Sequence, residues 1–198
     1  MSLLIETICL KEGEFKNLSY HEQRMQRALK LLFDSEAAPN LEDYLKNMDF
    51  PNQGFYKCRL TYNDQFRKVE FVNYEIRPVN SLKIITNDNI SYEHKFEDRH
   101  EINALFARKD TCDDILIVQN GFITDASYAN IAFKEGNHWV TPKTFLLLGT
   151  MRHNLLDRKL IAEQDIRITD LHRFTKFKLI NAMLGFDGPE IDVSNIVQ

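Results

Sequence analysis

The sequence predicts an α+β chain in two parts, and three observations predict it. An apolar run at residues 4–10 leads into an amphipathic helical stretch, two segments of alternating apolar and polar residues follow, and an Asn120-Gly121 pair sits between two further apolar runs. Alternation with period two marks half-buried strands, and spacing of three and four marks a helix with one apolar face. Asn-Gly is the dipeptide that a two-residue hairpin turn selects.

Taken in order, residues 4–10 read as a buried strand, EGEF as its turn, and Asn17 or Ser19 as the cap of a helix. In that helix Met25, Ala28, Leu29 and Leu32 recur at helical spacing, with Arg24 and Arg27 beside the apolar face. FYKCRLTYN and RKVEFVNYEI read as strands; in the first, Tyr56, Cys58 and Leu60 alternate with Lys57, Arg59 and Thr61, which puts the two basic side chains on one face. SLKIITND leads into a second part, so the expected domains are residues 1–84 and 85–198. There the pattern predicts a helix from about Glu97 to Lys109, the hairpin ILIVQNGFITD, and a second hairpin, NIAFKEGNHWVTP, turning at Gly136. A helix after Gly149, a short DIRITD strand and a helix over DLHRFTKFKLINAML, ending at Gly185, complete it.

Composition narrows the classes of function. A chain of 198 residues buries a substantial core, and a net charge of −4 with interspersed signs offers no electrostatic footprint for nucleic acid. No apolar run is long enough to span a bilayer, and the first residues lack the pattern of a secretory signal, so no membrane partner and a cytoplasmic address are expected. Cys9, Cys58 and Cys112 are odd in number and widely separated, which points to reduced thiols. His94 and His100 match no metal-ligand spacing, so no metal is expected.

Three segments carry chemistry: a lysine just before a helix (Lys95 in YEHKFEDRHEINALFARK), an acid-to-asparagine block (TDASYAN, Thr124 to Asn130) and a glycine-led helix start (LGTMRHNLLD). They follow an opening, LIETICLKEGEFKNLSYHEQRMQRALKLLF, with a Glu-Thr pair and then His21 and Arg24 at His-x-x-Arg spacing. Together these resemble the class IV aminotransferase family, the pyridoxal-phosphate enzymes of fold type IV that include branched-chain aminotransferases, D-amino-acid aminotransferases and aminodeoxychorismate lyases. The resemblance implies an N-terminal α/β sandwich, a C-terminal mixed β-barrel-like domain with helices, pyridoxal 5'-phosphate as cofactor, a small-molecule amine as substrate, and a homodimer with its sites in the interdomain cleft.

Such a cofactor asks for an amine, an acid facing its pyridine nitrogen, a phosphate cradle and a dry pocket. By resemblance Lys95 is the amine and the catalytic base. Asp125, five positions before Asn130, stands where the family has a glutamate facing the ring. Arg24, with Arg27 as the alternative register, would meet the phosphate, as would the amides of Thr150 and Met151 after Gly149, which permits close approach and opens a helix. Lys57, Arg59 and Arg77 are candidates for a substrate carboxylate, although a solvated strand face accounts for them as well. Tyr74 aligns with a family tyrosine near the cofactor, and a core position on a strand explains it equally. Within the family, YANIAF followed by VTP, and GTMR, look closer to lyase members, which release pyruvate from 4-amino-4-deoxychorismate and leave 4-aminobenzoate for folate synthesis. The alternatives are an aminotransferase acting on a branched-chain or D-amino acid, and a non-catalytic protein of the same fold.

Overall fold

The computed structural model describes residues 3–35 and 40–198. They form two compact units of mixed α and β structure, each built on one sheet. One takes the chain as far as Ile76 together with His94–Asp98, and the other comprises Arg77–Glu93 and Arg99–Gln198.

In the first unit, β1 (Leu4–Lys11), β2 (Glu14–Phe15), β3 (Phe55–Tyr62) and β4 (Phe66–Asn73) make an antiparallel sheet in the order β2-β1-β3-β4. Helices α1 (Leu18–Phe33) and α2 (Leu41–Lys46) cover one face. Strand alternation decides what meets α1: Leu4 and Ile8 point into a core with Met25, Ala28 and Leu29, joined by Leu41, Leu45, Cys58, Leu60 and Tyr62. Fully burying a leucine or methionine is worth about 1.5–3 kcal/mol, so this stripe holds α1 more than helix propensity does. Glu6 lies between Leu4 and Ile8 on the same face and is fully buried.

The helix expected from Glu97 is shorter in the structure: α3 spans His100–Phe106. The residues before it are committed to β1. Phe96 bridges Leu4, Ile5 N–H donates to the Lys95 carbonyl at 2.9 Å, and Glu97 N–H donates to the Leu3 carbonyl at 2.8 Å. Backbone groups used in this way cannot close helical turns.

The second unit holds β5 (Leu82–Thr86), α3, β6 (Asp114–Gln119), β7 (Phe122–Ala126), β8 (Asn130–Glu135), β9 (His138–Pro142), α4 (Thr150–Asp157), β10 (Ala162–Gln164), β11 (Lys176–Ile180), β12 (Ile191–Asp192) and β13 (Ile196–Val197). Its sheet runs β10-β9-β8-β7-β6-β5-β13, with β11 paired to both β8 and β12. Both expected hairpins form. Asn120 (φ 51) and Gly121 (φ 79) take the two left-handed turn positions between β6 and β7, and Gly136 (φ 58) turns β8 into β9.

Two expected elements differ. The short strand falls at Ala162–Gln164, parallel to β9, whereas Ile168–Arg173 winds into a 3₁₀ turn. The long helix expected over DLHRFTKFKLINAML is instead that turn followed by β11, antiparallel to β8, with Phe177 opposite Phe133 and Leu179 opposite Ile131. Leu171, Phe174 and Phe177 do recur at helical spacing, but Phe177 and Leu179 also alternate with Lys176 and Lys178. The apolar partners on β8 select the second pattern, and Phe177 is fully buried with Phe133.

Candidate active site

In the first unit a buried ionic cluster joins β1 to α1. His21 and Arg24, one helical turn apart, both face Glu6. His21 Nδ1 lies 2.6 Å from Glu6 Oε2, Arg24 Nε donates to Glu6 Oε1 at 2.9 Å, and Arg24 Nη2 also bonds Oε2. Burial alone would push the Glu6 carboxyl up; the Arg24 charge and the His21 hydrogen bond outweigh it and hold the group at about 2. Burial lowers the pKa of His21, the charges of Arg24 and Lys95 act in the same direction, and Glu6 partly offsets them. Lys95 is half-buried, on the short extended segment pinned to the start of β1. Arg27 is exposed, so of the two arginines beside the apolar face, α1 turns Arg24 toward the buried cluster.

Other first-unit candidates have partners of their own. Arg59 Nη2 bonds Glu97 Oε1 at 2.8 Å. The Tyr74 ring stacks edge-on against Phe55 at 5.4 Å, and burial raises its phenol pKa. Thr7 opposite Arg59 and Cys9 opposite Lys57 confirm by register that the two basic residues share a face of the sheet. Arg77, in the second unit, donates to the Asp113 carbonyl at 2.7 Å.

The second unit gathers Asp125, Asn130 and Gly149–Met151. Asp125 on β7 lies directly opposite Asn130 on β8. Its Oδ1 accepts from Asn130 Nδ2 at 2.7 Å, and its Oδ2 accepts from the amides of Leu146 and Leu147 at 2.9 and 3.0 Å. Burial pushes its carboxyl up to about 6, against the Leu147, Asn130 and Leu146 hydrogen bonds and the Arg152 charge. Asn130 Nδ2 also donates to the Leu147 carbonyl at 3.0 Å. Gly149 precedes α4, whose first helical bond runs from His153 N–H to the Gly149 carbonyl, so the Thr150–Arg152 amides form the N-terminal turn. A Cβ on Gly149 would stand 1.8 Å from Asn130 Oδ1, which gives this glycine a reason inside the protein. Arg152 is buried, donates to the Pro142 carbonyl at 2.9 Å and Glu163 at 2.7 Å, and lies over the Phe145 ring at 4.4 Å.

Two features escaped the sequence reading. Glu6 was visible only as half of a Glu-Thr pair, yet a glutamate alternating with Leu4 and Ile8 on a core-facing strand signals a buried counter-charge. The Leu146 and Leu147 amides carry no such signal, because any residue supplies an amide. Each unit by itself holds groups of the type a phosphorylated cofactor needs, the Lys95 amine and the Arg24 guanidinium in the first and the α4 N-terminal turn in the second, whereas the Asp125 oxygens are directed to the loop before α4.

Comparison with known proteins places the chain. A family model described as amino-transferase class IV matches residues 99–186, a stretch containing Asp125, Asn130 and the start of α4. An uncharacterised Haemophilus influenzae protein is 35% identical, over 92% of this chain and 98% of its own. A candidate aminodeoxychorismate lyase of Schizosaccharomyces pombe is 31% identical over 83% of this chain and 77% of that protein. The chain belongs to the class IV aminotransferase family. Among solved structures of similar fold, a candidate 4-amino-4-deoxychorismate lyase from Haemophilus somnus superposes with a TM-score of 0.88 at 33% identity, covering 94% of this chain and 98% of that one. A hypothetical aminotransferase from Mycobacterium tuberculosis in its PLP-bound form gives 0.78 at 15% identity, over 98% and 81% of the two chains, a likeness of fold alone. The mixed sheets and few helices described above are thus those of class IV aminotransferases.

Proposed function

We propose that this class IV family member is a pyridoxal-phosphate-dependent lyase that converts 4-amino-4-deoxychorismate to 4-aminobenzoate and pyruvate, a step of folate biosynthesis. The observation that carries the reading is its likeness, over most of both chains, to two proteins that bear the lyase name as candidates. Bound pyridoxal phosphate supplies an electron sink for the pair left when a substrate C–H bond breaks. Lys95 holds the cofactor, removes the proton from the amine-bearing ring carbon and returns a proton as the C–O bond to the pyruvate-forming group breaks; the ring becomes aromatic as pyruvate departs. The extended pairing with β1 fixes the Lys95 backbone, which shortens the search of its side chain for that proton. In the first unit Arg24, oriented by Glu6, is a proposed cofactor contact, and Arg59 and Tyr74 are proposed substrate contacts. In the second, Gly149, Thr150 and Met151 are proposed cofactor contacts, with the helix start offering amides to the phosphate and Asp125 and Asn130 adjoining it. A homodimer in the cytoplasm belongs to the same proposal.

The test is to supply 4-amino-4-deoxychorismate to the purified, cofactor-loaded protein and quantify 4-aminobenzoate and pyruvate. Equal amounts of the two products support the lyase; their absence overturns it. The family description itself favours a second reading, an aminotransferase for a branched-chain or D-amino acid. Stoichiometric conversion of the cofactor to its aminated form by such an amino acid, with no keto acid added, supports that reading instead.

A further inference from the structure

At the junction of β7 and β8 a carboxylate and a carboxamide are spent on one loop. Asp125 Oδ2 accepts two consecutive amides, Leu146 and Leu147; its Oδ1 accepts the Asn130 amide; and Asn130 in turn donates to the Leu147 carbonyl. Two residues further on, Gly149 lies so close to Asn130 Oδ1 that a single added carbon would collide with it. Arg152, in the first turn of α4, holds the earlier part of the same loop through the Pro142 carbonyl and the Phe145 ring.

We propose that Asp125 and Asn130 are a positioning pair that fixes residues 146–149 and hence the N-terminal turn of α4, and that Asp125 affects cofactor binding through this loop, not by facing the cofactor. The loop-fixing half stands on the hydrogen bonds alone; the effect on binding rests on the reading of the α4 turn as a phosphate contact. The geometry also accounts for the residue type. One oxygen bridging consecutive amides suits a side chain of aspartate's length, and the extra methylene of a glutamate would drive the carboxylate into the loop it holds. Asparagine at 125 retains an oxygen that can accept both loop amides, while its NH2 group turns toward the Asn130 NH2, so the charge and the bond to Asn130 are lost but the hold on the loop remains. A carboxylate whose role was to keep a ring nitrogen protonated would show the opposite tolerance, because there the charge is needed and reach is the only constraint.

The experiment compares the full chain with its Asp125→Ala, Asp125→Asn, Asp125→Glu and Asn130→Ala variants. Hydrogen exchange is measured at the Leu146 and Leu147 amides without cofactor, and affinity is measured by titration with pyridoxal phosphate and, separately, inorganic phosphate. Positioning predicts faster exchange at both amides in Asp125→Ala, Asp125→Glu and Asn130→Ala, each binding both ligands about tenfold more weakly, since the loop amides lose their acceptor in the Asp125 variants and Asp125 Oδ1 and the Leu147 carbonyl lose their donor in Asn130→Ala. Asp125→Asn should stay within about threefold of the parent, the residual cost of a neutral acceptor for the loop amides and of the lost bond to Asn130. The proposal is overturned if Asp125→Asn binds pyridoxal phosphate as weakly as Asp125→Ala, if Asp125→Glu binds it more tightly than the parent, or if exchange at Leu146 and Leu147 is unchanged in Asp125→Ala. Should Asp125→Ala fail to fold, Asn130→Ala supplies the loss and the asparagine–glutamate contrast still decides. Should the parent bind neither ligand, the cofactor reading falls while the exchange comparison still judges the loop-fixing half.

Discussion

Glu6, Lys95 and Asp125 show how one residue's surroundings set its chemistry. Glu6 is buried yet ionised because two partners on one helix face meet it; Asp125 is buried with neutral donors nearest, and its carboxyl rises instead. Lys95 contributes its backbone to β1, so Lys95→Ala keeps the Lys95–Ile5 and Phe96–Leu4 contacts. That variant should unfold at the parent's temperature but lose the absorbance of covalently held pyridoxal phosphate, with turnover falling by about a thousandfold or more, within the range that loss of a positioned base produces. Near-parental turnover would remove Lys95 from its proposed role.

Helix α1 presents two arginines one turn apart with opposite fates, and a paired comparison exploits them. Arg24→Ala strips the charge partner from buried Glu6 and should cost about 3–5 kcal/mol in urea unfolding, as well as weakening cofactor retention on dialysis. Arg27→Ala, at an exposed position, should stay within about 0.5 kcal/mol and retain cofactor. Strand β11 offers a second contrast: Phe177→Ala should cost about 3–5 kcal/mol and Lys176→Ala under about 1 kcal/mol, because Phe177 fills the core opposite Phe133 while Lys176 only pairs with Asp192 at the surface. Similar costs from both would contradict the strand. What was legible in the sequence at this scale was whatever local chemistry decides. Asn120-Gly121 can turn a hairpin without help, and the stripe of Met25, Ala28 and Leu29 specifies a helix. β11 was not legible, since KFKL satisfies two periods at once and only Phe133 and Ile131, some forty residues earlier, choose between them. For the same reason Glu97 reads as the start of a helix until its amide is taken by the Leu3 carbonyl, and the motif residues Asp125 and Asn130 could be picked out while their hold on Leu146 and Leu147 could not.

Across the whole molecule, buried acids of opposite tendency predict how stability follows pH. Glu6, lowered from 4.5 to about 2, contributes stability that is in place above 4.5 and is lost as pH falls through about 2. Asp125, raised from 3.8 to about 6, contributes stability that is full below 3.8 and is lost as pH rises through about 6. His21, lowered from 6.5, is favourable above 6.5 and costs stability as pH falls below it. Unfolding free energies measured against pH should therefore show the advantage of the parent over Glu6→Gln shrinking from pH 4.5 downward. Its standing relative to Asp125→Asn should improve between pH 6 and 3.8; parallel curves for parent and variant in either window would refute the corresponding assignment. The return of His94–Asp98 to the first unit, after the chain has already begun the second, bears on how the protein is made. On the ribosome, the first unit cannot seat Phe96 against Leu4 until Asp98 has left the exit tunnel, by which time β5 of the second unit is already outside and waiting for its β6 neighbour. No single cut of the chain separates the two units, and a fragment ending at Ile76 would be born without Lys95 and with the start of β1 paired to β3 alone.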